Sequence, residues 1–279
     1  WMGNRPFRRG EDHHWWPESL SKFWVDDEGG ISRLSAQGEI ARLTPSGAAN
    51  ISGGHNIEFV GEGISILETF EDLFDRPDSS FPGLVKWLES LADAHLEMER
   101  RPLCVAHSSD EQRLDLLYEC MLSLVVRSPM FRSRIHRGIE RFNRWSTKKQ
   151  YKQLVAANLK QSYSEFLQHR ASRGKFMVLT PTGGEFIFGD GCYNTIYPNS
   201  QLHPPIRMLV ALTPVLAVLY ELPMACLVEP RIVTRIANER VIGVVNDAVQ
   251  VYSRDYVFYR GIRPPIRDFF QQREHLAGC

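Results

Sequence analysis

Hydrophobic spacing divides the chain into β-rich ends around a helical middle. Near the start, Pro17-Glu18 followed by Leu20, Phe23 and Trp24 predicts a short helix running to about Trp24. Proline suits its first turn, and the acid suits the positive end of its dipole. Ile31–Ser35 and Glu39–Leu43 flank Ala36-Gln37-Gly38 as a hairpin, and Ile57–Val60 reads as a further strand. Helical spacing then takes over. Ile66–Phe74 places Leu67, Phe70 and Phe74 on one face, and Pro82–Arg100 does the same with Leu84, Trp87, Leu88, Leu91 and Leu96. Ser108 and Glu111 have the spacing of a capping box. The helix that follows carries Leu114, Leu117, Cys120, Met121, Leu124 and Val125, apolar nearly all round, so it should be buried on most sides. Pro129 cannot donate to the Val125 carbonyl, so this helix should kink or restart there. Its continuation, Met130–Trp145, is basic, and an amphipathic helix over Lys148–Arg170 ends at Arg173-Gly174.

The pattern then returns to β. Phe176–Tyr193 reads as a central hairpin, with strands Phe176–Thr180 and Glu185–Phe188 joined by Pro181-Thr182-Gly183-Gly184. The second strand runs into Gly189-Asp190-Gly191, where glycine permits positive φ and close approach of a ligand. Thr195–Tyr197, Arg207–Thr213, Val215–Glu221 and Tyr256–Arg260 also read as strands. Pro230–Ser253 fits both periods, because Ile232, Ile236, Val241, Val245 and Val249 also share a helix face; helix is the preferred reading. These elements predict one α+β domain over residues 1–279. Its sheet would be mixed and mainly antiparallel, built from N- and C-terminal segments, with a helical insertion at about 66–173.

Composition narrows the partners only slightly. Lys plus Arg (33) equals Asp plus Glu (33), so net charge gives no argument for nucleic acid or membrane. Met208–Tyr220 is too short to span a bilayer and contains Pro214. The five cysteines are widely spaced without a C-x-x-C, which disfavours a disulfide framework or cysteine–zinc site and makes a reducing cytoplasm the default expectation. The charged, aromatic N-terminus does not read as a secretory leader. No phosphate loop, dinucleotide fingerprint, His-Glu-x-x-His or nucleophile elbow occurs, so no cofactor is assigned and metal dependence stays open.

Four residues have the chemistry of a site. Asp190, at a strand end, can accept a proton, ligate a metal or make an Asx turn. His14 titrates near neutrality and suits acid–base work, or else packs between Trp15 and Trp16. Arg127 can bind phosphate or carboxylate bidentately, or bridge to Asp190 or Glu68. Asn246 lies in an apolar stretch and fits a structural helix-to-loop hydrogen bond. The arginines from Arg132 to Arg144 scatter over more than one face, as on a solvated helix, though they could follow a nucleic-acid backbone. Trp15, Trp16 and Trp24 could stack bases, but core packing suits at least two of them.

In order along the chain, His14-Trp15-Trp16-Pro17, Arg127-Ser128-Pro129, Phe186-Ile187-Phe188-Gly189-Asp190, Thr213-Pro214 and Asn246 with Ala248 and Tyr252 resemble a known set of motifs. They are similar to those of the bacterial and fungal proteins grouped as domain of unknown function family 4238. The family's usual Ser-Asp-Asn-Pro is here Gly189-Asp190-Gly191-Cys192, and its usual Tyr after the histidine is Trp15. The resemblance implies no activity; it implies that His14, Arg127, Asp190 and Asn246 form a set. Two functions follow as expectations. One is a nuclease-like or phosphodiester-cleaving effector of toxin or defence type, acting on nucleic acid or nucleotide. The other is a non-catalytic module binding a small anionic ligand, or a protein partner through the Trp-rich N-terminus. A purely structural polar network is the third reading.

Overall fold

The computed structural model describes residues 7, 11–61, 64–99, 102–142, 147–168, 174–196, 206–222 and 229–272. Along the N-terminal part run β1 (Asp12–His14), α1 (Glu18–Ser21), β2 (Ile31–Ser35), β3 (Ile40–Leu43), β4 (Asn50–Ser52), β5 (Asn56–Gly61) and β6 (Ile64–Thr69). Then come α2 (Asp75–Leu96), β7 (Cys104–His107), α3 (Glu111–Arg127), α4 (Pro129–Phe142) and α5 (Lys148–Gln168). The C-terminal part holds β8 (Lys175–Pro181), β9 (Phe188–Gly189), β10 (Tyr193–Asn194), β11 (Arg207–Thr213), β12 (Leu216–Glu221), β13 (Ile232–Ala237), α6 (Glu239–Tyr252), β14 (Tyr256–Tyr259) and α7 (Asp268–Gln271).

The architecture is α+β with mostly antiparallel sheets. One sheet has the order β10-β11-β12-β8-β13-β7, in which only β13 and β8 run parallel. The other, β3-β2-β14-β9, joins both ends of the chain: Tyr256 sits opposite Ser35 and Tyr259 opposite Ser32. Two ribbons, β1–β4 and β5–β6, complete the strands. The aromatic N-terminus fastens onto the second sheet. Trp16 stacks on Phe188 at 4.4 Å and lies 4.9 Å from Phe258, while the Trp24 indole N–H donates to the Leu212 carbonyl at 3.0 Å. All three tryptophans are buried, as core packing requires. Among the described residues no helix is long and apolar enough to cross a membrane.

Several elements differ from the expectation, each for a physical reason. Ile66–Phe74 is not a helix. β6 pairs antiparallel with β5, and only Glu71–Phe74 coils, as a 3-10 turn. α2 starts at Asp75, so Pro82 lies inside it. A proline at that position leaves the Asp78 carbonyl without its helical donor. The Ser19 hydroxyl donates to that carbonyl instead, at 2.5 Å, tying α1 to α2. The chain does restart after Arg127-Ser128, where Pro129 opens α4.

The central hairpin does not form. β8 belongs to the larger sheet and β9 to the smaller, and residues 182–187 cross between them. Pro230–Ser253 divides into β13 and α6 at Asn238, whose side chain accepts the Val241 amide at 3.1 Å. The strand expected at Thr195–Tyr197 lies instead at β10, Tyr197 being outside the described residues. Arg144, the helix end at Arg173, and Cys226 and Cys279 also fall outside them.

Candidate functional site

A cleft of about 430 Å³ opens where three segments meet: the chain from Trp15 through the 47–51 loop and β4, the start of α4, and the turn 254–256 leading into β14. Its walls include Trp15, Arg33, Arg132, Asp190, Asp255 and Tyr256. Arg132 is the unusual member. Its Nη1 donates to the Gly54 carbonyl at 3.0 Å, whereas Nε and Nη2 are sealed from solvent and have no hydrogen-bond partner. Burial pulls its pKa down to about 10, and it makes no ion pair among the described residues. A guanidinium with an unneutralised charge at a cleft wall favours the entry of an anion.

The four residues expected to form one set meet separate partners. Arg127 is fully buried. Its guanidinium meets Asp78 in a two-pronged pair, 3.0 Å from Nη1 to Oδ2 and 2.5 Å from Nη2 to Oδ1. The same group donates to the His14 and Ser123 carbonyls at 3.3 Å and lies 4.4 Å over the Phe74 ring. Burial works against its charge, but Asp78, together with Glu71 and Tyr163, outweighs burial and holds the pKa above its usual value. The bridge therefore goes to Asp78, not to Asp190 or Glu68.

Asp190 lines the cleft, yet its carboxylate is engaged. Oδ1 accepts the Arg254 amide at 2.6 Å, and Oδ2 accepts the Asp255 and Tyr256 amides at 2.8 and 3.2 Å. Burial pushes its pKa up to about 7, and these amides pull the other way. The result is a clasp on the 254–256 turn, not an open acid or base. The flanking glycines do not adopt positive φ, which is found at Gly29, Gly38, Gly53 and Gly184. They permit close packing instead. A Cβ on Gly189 would sit 2.1 Å from the Ser253 hydroxyl, and one on Gly191 would sit 1.9 Å from the Tyr252 carbonyl.

Asn246 secures the crossing between the sheets. It accepts the Ile187 amide and donates to the Glu185 carbonyl, both at 3.0 Å, the helix-to-loop role expected of it. His14 is half-buried, with Nε2 3.4 Å from the Ser46 carbonyl; its ring is not packed between Trp15 and Trp16, which stack with each other. Only its main chain meets Arg127, and the side chains of His14, Arg127 and Asp190 do not converge on the cleft.

A second cluster carries histidines that the sequence did not single out. Donor atoms of His13, His55 and Glu71 lie within 4.8 Å of one another. The two rings stack in parallel at 5.1 Å. His13 Nδ1 accepts the His55 amide at 2.8 Å, and His55 Nδ1 bonds the Glu71 carboxylate. Burial, helped by Arg132, Arg127, His13 and His14, pulls the His55 pKa well below its usual value. The His55 Nε2 is buried without a hydrogen-bond partner, so a cation held there would leave both hydrogen bonds in place but would meet the positive field of Arg127 and Arg132.

The signal for Arg132 was present in the sequence. It lies three residues before the buried Ile135, and residues so spaced are neighbours on one face of a helix. No family model, curated protein or solved structure matches this chain. The likeness to family 4238 therefore rests on the motifs quoted above.

Proposed function

We propose that this protein is a recognition module that binds a small phosphate-bearing ligand in the Arg132 cleft. One observation carries the reading: a guanidinium at the wall of that cleft has three N–H groups, on Nε and Nη2, without an acceptor, and it makes no ion pair among the described residues. Phosphate oxygens are strong acceptors for arginine and would supply both the charge and the hydrogen bonds. Because Nε and Nη2 are sealed in the unliganded structure, binding includes a small side-chain shift toward the cleft. The phosphodiester-cleaving reading is less well supported, since Arg127, Asp190 and Asn246 are each engaged by protein partners.

Calorimetric titration of the full chain with inorganic phosphate and pyrophosphate tests the reading. Saturable binding should weaken with salt and fall at least about tenfold in Arg132→Ala, because a charge-assisted hydrogen bond is worth about 1.5–3 kcal/mol. Absence of binding, or equal affinity in the variant, overturns it. Turnover of an added phosphodiester, abolished by Asp190→Asn, would restore the enzyme reading in its place.

A further inference from the structure

Three features of the Arg132 cleft bear on what else its ligand carries. Inorganic phosphate would use only the arginine, leaving the rest of a volume of about 430 Å³ empty. That volume falls in the range of about 300–1,000 Å³ typical of sites for small organic ligands. Part of the remaining wall is aromatic. Trp15, Tyr256 and Phe258 line it, and the Arg33 guanidinium lies 4.2 Å over the Tyr256 ring. Arg33 makes no ion pair among the described residues.

The register explains this surface. β2 and β14 pair Arg33 with Phe258 and Ser35 with Tyr256, so Arg33 and Tyr256 are diagonal neighbours. Diagonal neighbours are within reach for long and aromatic side chains. Beside them stands the half-buried Asp255 carboxylate, 3.1 Å from Arg254 Nε.

We infer that the ligand is a nucleotide, its phosphate held at Arg132 and its base stacked on the Arg33–Tyr256 surface. The inference rests on the phosphate reading above. A sugar phosphate would satisfy the arginine but present no π face to the stacked pair, whereas any nucleobase would. The clasp of Asp190 on the 254–256 amides holds Tyr256 and Asp255 in place before the ligand arrives.

The experiment compares AMP, GMP, CMP and UMP with ribose 5-phosphate and inorganic phosphate, by calorimetry on the full chain. At least one nucleotide should bind about 10- to 100-fold more tightly than ribose 5-phosphate, the contribution expected of one stacked base. Arg33→Ala, a change at a part-exposed position, should remove most of that difference. Tyr256→Leu should do the same, with its melting temperature checked first. Arg132→Ala should weaken every phosphate-bearing compound together. If ribose 5-phosphate binds as tightly as all four nucleotides, or if Arg33→Ala and a folded Tyr256→Leu both leave the difference intact, the nucleotide inference fails and the phosphate reading stands. If no phosphate compound binds, both fail.

Discussion

Arg127 shows how a single residue type can be read correctly and placed wrongly. A guanidinium at the end of an apolar helix must be paired, and it is. The partner, Asp78, lies 49 residues away on α2, on a turn that Pro82 leaves partly unbonded. Removing that carboxylate would leave a buried, uncompensated cation. Asp78→Ala should therefore cost about 3–5 kcal/mol in urea unfolding. A loss below 1 kcal/mol would mean that Ser123, His14 and Phe74 suffice to hold the charge. Asp190 and Asn246 teach the same lesson. Their polar chemistry was legible, but the backbone groups that saturate it come from 254–256 and 185–187, segments remote in the chain.

At the scale of elements, helix periodicity was dependable where one face stays buried over several turns, as in α3 and α5. It failed where an apolar run was short enough to fit both periods. β6 and β13 went to strands because neighbouring edges accepted their backbone groups, β5 in one case and β7 with β8 in the other. Helix starts carry a sharper test. The sequence offered Ser108 and Glu111 as a capping box, whereas the side chain accepting the Arg113 amide, at 3.1 Å, is Asp110. Asp110→Ala should lower stability by about 1 kcal/mol, and Ser108→Ala should change it by less than about half of that. The reverse order would place the cap at Ser108. Thermal unfolding of the two variants in parallel separates these outcomes.

Across the whole molecule, the histidine cluster joins the N-terminal strand β1, the β4–β5 turn and the entry to α2. The Glu71 carboxylate favours a charged His55, but burial and the positive groups around it dominate. The folded protein therefore binds fewer protons at His55 than the unfolded chain does below the ordinary histidine value of 6.5. Stability contributed by this site is complete above that pH and is lost as pH falls through it. The loss amounts to up to about 1.4 kcal/mol for each unit. Between pH 7 and pH 5 the unfolding free energy should fall, and His55→Gln should flatten the slope. A profile equally steep in the variant would assign the acid sensitivity to other groups.

The amino-acid order alone decided the α+β class, the helical middle, the break at Pro129 and the burial of the tryptophans. These depend on local period, on a missing amide and on side-chain size, all of which act within a few residues. Tertiary structure decided which sheet each strand joined, which carboxylate met Arg127, and why Arg132 pairs with none among the described residues. Those outcomes depend on groups dozens of residues apart meeting at about 3 Å, a distance that hydrogen bonding demands and that no local pattern encodes.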